Sequence, residues 1–127
     1  MTSYYSHLIK IFIFVLIEVN RALPVRFSNG QHRAGNVQVY TNNRWIPVCN
    51  RNFGRREAVV ICRQLGFTNV SRRLLGSTLP NTTNYLVNLN CTGREFSLRQ
   101  CSYNIGNNNS CSQYNTVVIE CIGNDNL

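Results

Sequence analysis

The sequence predicts a small disulfide-rich α+β domain. Three observations carry that prediction: one short stretch with helical spacing of its apolar residues, several short runs with strand-like patterning, and six cysteines that all follow a hydrophobic N-terminal segment. Of the 127 residues, about a hundred remain after a leader is set aside, which is the size of one domain. A core of that size is modest, and cross-links supplement it.

The leader is Leu8 to Val19, LIKIFIFVLIEV, interrupted by Lys10 and Glu18. This run is too short for a bilayer, which needs roughly 20 residues. It reads as a signal peptide over residues 1–23, with Lys10 in a weak positive n-region and Ala22 near the cleavage point. Asn20 and Arg21 are poor residues before a cut, so an uncleaved N-terminal anchor is the competing reading. Both place residues 24–122, the domain, and the short tail 123–127 outside the cell. A small secreted protein is the favoured expectation.

The helix is EAVVICRQLGF, Glu57 to Phe67. Ala58, Ile61, Cys62 and Leu65 recur at three- and four-residue steps, which turns Cys62 inward and leaves Arg55, Arg56, Arg63 and Gln64 to water. Gly66 supplies the stop. Val37 and Val39, then Trp45, Ile46 and Val48, read as two strands joined by the polar turn Thr41-Asn42-Asn43-Arg44. All three of Val37, Val39 and Trp45 are expected in the core, because a hairpin packed on a helix needs an apolar face. Thr116 to Ile119, TVVI, reads as a buried strand. Thr68 to Asn84 and Ser102 to Ser110 have the Asn, Ser, Thr and Gly content of loops.

Cys49, Cys62, Cys91, Cys101, Cys111 and Cys121 make an even set in a small extracellular domain, which implies disulfides. Their number allows 15 pairings. A zinc site is the weaker reading, since there is no Cys-x-x-Cys and His32 is the one histidine beyond the leader. Beyond residue 23 the chain has eleven arginines, no lysine and four acids, a net charge of +7. The planar guanidinium pairs bidentately with sulfate, phosphate and carboxylate, so acidic partners fit the composition. Solubility alone also accounts for such an excess.

Catalysis is the function class that the residues most nearly exclude. With one histidine beyond the leader and with Asp125 alone in the tail, neither a Ser-His-Asp set nor a carboxylate pair assembles. Glu57 and Glu95 form a pair on paper only, and Glu57, after two arginines, reads as half of an exposed ion pair worth less than about 1 kcal/mol. No cofactor is implied.

Several motifs in order resemble the scavenger receptor cysteine-rich domain of the six-cysteine type: VRF at Val25, GNVQVYTNNRWIPVC from Gly35 to Cys49, FGRREAVVICRQLGF from Phe53 to Phe67, LNCTGREFSLRQC from Leu89 to Cys101, and the closing spacing of Cys111 and Cys121. Phe67 stands where the eight-cysteine type has a cysteine. The resemblance implies a curled antiparallel sheet packed around one main helix. It also implies bridges Cys49 to Cys111, Cys62 to Cys121 and Cys91 to Cys101. By loop closure the two long bridges contribute roughly 4 kcal/mol each and the short one roughly 3.

Many members of that family bind ligand through calcium, held by two acidic residues just after the first of these cysteines and another later in the domain. Here Cys49 is followed by Asn50 and Arg51, Val87-Asn88 precede Cys91, and Asn115 and Thr116 follow Cys111. A hard dication needs several oxygen ligands carrying net negative charge, so no metal dependence is expected. The family's other mode is an arginine cluster that grips polyanions such as sulfated glycans, lipopolysaccharide and other bacterial surface components, modified lipoprotein or nucleic acid, with no specific nucleic-acid partner. The matching candidates are Arg51, Arg55, Arg56 and Arg63 around the helix and Arg72 and Arg73 after it. On a helix Arg56 and Arg63 share one side, and Arg55 lies about a hundred degrees away. Some relatives also use a V-x-V-x5-W hairpin for bacterial surfaces, which Val37, Val39 and Trp45 match in spacing.

Four sequons, Asn69, Asn81, Asn90 and Asn108, invite N-glycosylation, with Asn90 the least suited because Cys91 follows it. A glycan on Asn69 would lie close in sequence to Arg72 and Arg73. Two function classes result: a non-catalytic pattern-recognition or scavenger-type module for polyanions, and a protein-interaction module for one extracellular partner in which the arginines mainly speed encounter.

Overall fold

A computed structural model describes residues 23–28, 31–75, 84–111 and 116–123. Its first strands are β1 (Val25–Phe27), β2 (Ala34–Thr41) and β3 (Arg44–Pro47), and helix α1 (Arg55–Gln64) follows. Then come β4 (Asn69–Leu75), β5 (Tyr85–Asn90), β6 (Ser102–Gly106) and β7 (Val117–Ile122).

β2 organises the larger sheet. Its second half pairs with β1 and β3, and Ala34–Asn36 pairs with β7, which in turn carries β4. All of these pairs are antiparallel. β5 and β6 form a separate two-stranded sheet, tied back where the Cys49 N–H donates to the Leu86 carbonyl at 2.9 Å.

The β2–β3 turn is made by Asn42 and Asn43, both left-handed at φ 52° and 66°. Asparagine tolerates this backbone, and a two-residue turn of this hand matches strand twist. The turn sets Tyr40 opposite Trp45 and Val39 opposite Ile46. Val37, Val39 and Ile46 therefore point into the core at 0–1% exposure. Trp45 goes to the other face, which corrects the expectation that it is core. There it packs on Tyr40, with ring centroids 5.3 Å apart, and the Arg26 guanidinium covers it at 4.1 Å.

α1 buries Ala58, Val60, Ile61 and Cys62 in one cluster with Val37, Val39, Val48, Val70, Leu98 and Ile119. It ends where Gly66 takes φ 96° and donates to the Arg63 carbonyl, while the Phe67 N–H reaches the Cys62 carbonyl at 2.9 Å. That pair of bonds is a Schellman stop, with buried Phe67 as its apolar closure.

Disulfides join Cys49 to Cys111, Cys62 to Cys121 and Cys91 to Cys101, with Cα separations of 5.9, 5.5 and 4.8 Å. The second fastens the buried face of α1 to β7.

Two segments with loop composition contain strands. β4 lies within 68–84, and β6 within 102–110. Pairing with a neighbour supplies what apolar content does not: β4 bonds to β7 along its length while Ser71, Arg72 and Arg73 stay exposed, and only Val70 among residues 69–73 is buried.

Candidate ligand-binding surface

The arginine candidates do not form one group. Arg55 opens α1, and its Nη2 donates to Asn69 Oδ1 on β4 at 3.1 Å. Arg73 reaches from β4 the opposite way, placing Nη1 3.4 Å from the Phe53 carbonyl just before α1. Arg72 pairs with Glu120 of β7 at 3.5 Å. Arg55, Arg56, Arg72 and Arg73 are all exposed, and Arg55 and Arg73 bridge the seam between the start of α1 and β4, while Arg72 turns to β7 and the Arg56 stem lies beside Gly93. Arg51 is exposed in the turn that leads to it.

Arg63 is different. It is half-buried and its Nη1 donates to the Gly93 and Glu95 carbonyls, at 3.1 and 2.6 Å. Gln64 likewise donates to the Leu23 carbonyl and accepts from the Leu98 N–H. Both were expected to face water. Arg56 and Arg63 do share a helix side, but that side faces the 91–101 loop: a side chain at Gly93 would stand 3.6 Å from Cβ and Cγ of Arg56.

Glu57 also departs from expectation. It is 6% exposed, and its carboxylate accepts the Gly54 N–H at 2.8 Å and the Cys91 N–H at 2.9 Å. The acid after two arginines is thus a buried strap from the start of α1 to the Cys91 bridge. Glu95 holds the next turn, accepting from the Thr92 and Gly93 N–H groups and the Thr92 hydroxyl. The Thr92 N–H, with those partners, draws its pKa down to about 2. The two carboxylates are engaged separately and do not form a pair.

The segments after Cys49 and before Cys91, where the family places calcium ligands, meet in a groove lined by Asn52, Asn88, Leu89, Asn90, Ser102 and Asn104. That set offers amides and a hydroxyl but no carboxylate, a poor match for calcium. Asn52 and Asn90 also border a second groove of about 350 Å³ that runs past Gly54 to Arg55 and Arg56, within the usual size of a small-ligand site. Among the described residues, three potential metal-ligating groups come together at Cys91, Glu95 and Cys101, where both sulfurs are already bonded to each other. Asn69 is half-buried, Asn90 and Asn108 are exposed, and Asn81 and Asn115 lie outside the described residues.

The scavenger receptor cysteine-rich domain model matches residues 28–122. The chain belongs to the SRCR family. It is 37% identical over 98 residues to mouse macrophage receptor MARCO, covering 76% of this chain and 18% of that one. It is 32% identical over 102 residues to lysyl oxidase homolog 4 of Bos taurus, covering 78% and 14%. The dimeric form of the mouse MARCO SRCR domain superposes with a TM-score of 0.57 at 37% identity, covering 69% of this chain and 85% of that one. The chain thus spans less than a fifth of the length of either relative. SRCR domains are binding modules, and relatives that carry them act outside the cell or at its surface. Among the described residues no helix is long and apolar enough to cross a membrane.

The sequence reading singled out Asn69 as a sequon and not as the acceptor that anchors Arg55, and it gave no site role to the loop residues Arg94 and Phe96. A sequon at the start of β4 was the visible signal for the first. For the others it was an aromatic residue between two arginines inside a short disulfide loop.

Proposed function

We propose that this SRCR module is a non-catalytic extracellular receptor domain for polyanions, acting without calcium through Arg55, Arg56, Arg72 and Arg73, with Arg51 at the rim. The observation that carries this reading is the reciprocal reach across the α1–β4 seam, Arg55 to Asn69 and Arg73 to Phe53. Each arginine is positioned by a neutral oxygen, which leaves its positive charge available to a ligand. Glu57 is buried on backbone N–H groups, and among the described residues Arg72 is the one of Arg55, Arg56, Arg72 and Arg73 that is paired with a carboxylate, at partly exposed Glu120. Arg63 is withdrawn from the site because its donors hold the 91–101 loop. Calcium takes no part because the groove where it would sit offers neutral amides beside Arg51. A glycan on Asn69 would stand against Arg55 and reduce access to the surface.

The test is elution of the secreted, oxidised protein from heparin, with and without calcium, beside the variant Arg55→Ser/Arg56→Ser/Arg72→Ser/Arg73→Ser. Retention beyond that on a plain cation exchanger, indifferent to calcium and lost in the variant, is the expected result. Elution no later than from the plain exchanger would sink the reading and turn the search to a single protein partner.

A further inference from the structure

The loop between Cys91 and Cys101 holds an aromatic ring in water. Phe96 is 76% exposed, far more than Tyr40, Ile105 or Ile122, at 38–42%. A single exposed apolar side chain is ordinary on a protein surface. What sets Phe96 apart is how firmly its backbone is fixed. The Cys91–Cys101 bridge closes the loop, Glu95 gathers the Thr92 and Gly93 N–H groups, and Arg63 grips the Gly93 and Glu95 carbonyls. Gln100 Oε1 accepts the N–H of Phe96 itself at 2.8 Å, and Leu98, two residues on, is fully buried. The ring cannot turn inward without dismantling this network.

Two arginines flank it in the chain. Arg94 and Arg99 are exposed on either side of Phe96 in the chain, while the loop's one acid, Glu95, is turned back onto the loop's own backbone. Arg56, whose stem lies beside Gly93, links this tip to the arginine seam.

We propose that Phe96, with Arg94 and Arg99, is an insertion tip for an anionic phospholipid surface. The proposal rests on the polyanion reading above and names a ligand class for it. An aromatic ring settles at the boundary between headgroups and acyl chains, and guanidinium groups pair with lipid phosphates and carboxylates. Because the loop is already ordered, no conformational entropy is lost in presenting the ring.

Co-sedimentation of the secreted, oxidised protein with vesicles tests this, using phosphatidylcholine alone and phosphatidylcholine with phosphatidylserine, beside heparin elution. The expected result is binding to the serine-containing vesicles only. Phe96→Ser should lower that partitioning roughly tenfold or more, the scale of returning one phenylalanine to water, with heparin elution and melting temperature unchanged. Arg94→Ser/Arg99→Ser should lower it roughly thirtyfold. Phe96→Trp should retain binding and shift its emission to the blue on serine-containing vesicles. Equal vesicle binding by Phe96→Ser, or a fall in its melting temperature, overturns the insertion role. Heparin retention without vesicle binding overturns this proposal and leaves the polyanion surface standing, whereas loss of both overturns both.

Discussion

Helix α1 begins with Arg55 and Arg56 and ends with Arg63 and Gln64, and its two ends use similar side chains for opposite purposes. At the start the arginines are exposed, and among the described residues Arg55 bonds the amide oxygen of Asn69 on β4. At the end Arg63 is half-buried on two backbone carbonyls of the 91–101 loop, and Gln64 bonds on both sides of its amide. The lesson is that an arginine's role is set by the acceptors nearby. A loop that leaves carbonyls unpaired takes up the guanidinium as structure, and a strand that offers one amide oxygen leaves it exposed at the surface.

The largest expected effect breaks both ends at once. Cys62→Ala/Cys121→Ala cuts the bridge between the middle of α1 and β7, and should cost roughly 4 kcal/mol, a large part of the stability of a domain this size, read as a steep fall of the urea midpoint at ambient temperature. Survival of a cooperative transition near the parent midpoint would show that packing of α1 alone suffices.

Glu57→Ala acts at the start of the helix only. It leaves the Gly54 N–H and the buried Cys91 N–H without their acceptor, a cost of about 3 kcal/mol read from the denaturation midpoint.

The two ends are then compared directly. Arg63→Ala should lose about 2 kcal/mol, a fall in melting temperature of about 10 °C, with heparin elution little changed. Arg55→Ser/Arg56→Ser should alter stability by less than about 0.5 kcal/mol yet advance elution markedly. Reversal of that pattern would place the ligand at the wrong end of the helix.

The smallest effect is a pH dependence. Glu95 is held at about 2, below its ordinary 4.5, by the Thr92 N–H above all. A depressed carboxylate stabilises its loop fully above about pH 4.5, and the contribution fades as pH falls from there toward 2. Protection of the Thr92 and Gly93 amides, relative to the unstructured exchange rate at each pH, should fall over that window, and Glu95→Gln should abolish this pH dependence.

Much of this was legible in the residues. The helix from Glu57 to the stop at Gly66 follows from three- and four-residue spacing and one glycine, and the β2–β3 hairpin from an Asn-Asn turn. Trp45 was misplaced because the spacing of apolar residues does not reveal register: a two-residue turn pairs Trp45 with Tyr40, one position off the inward set, and a single step in a strand changes the face. β4 and β6 were hidden because polar, exposed residues interrupt them, Ser71, Arg72 and Arg73 in β4 and Ser102 and Asn104 in β6, and a strand held by backbone pairing through such residues leaves no clear period to read.

What the sequence by itself determined is the local and covalent plan: one short helix, a hairpin, six cysteines in a family order and a strongly basic surface. Those depend on backbone preferences and on residues near one another in the chain. Only the tertiary structure decided which charges are available. Glu57 finds the Cys91 N–H 34 residues away, Arg63 finds carbonyls 30 and 32 residues away, and Arg55 finds Asn69 across the seam. Hydrogen bonds to buried backbone groups are contests among acceptors brought together by folding, and no spacing along the chain reports their outcome.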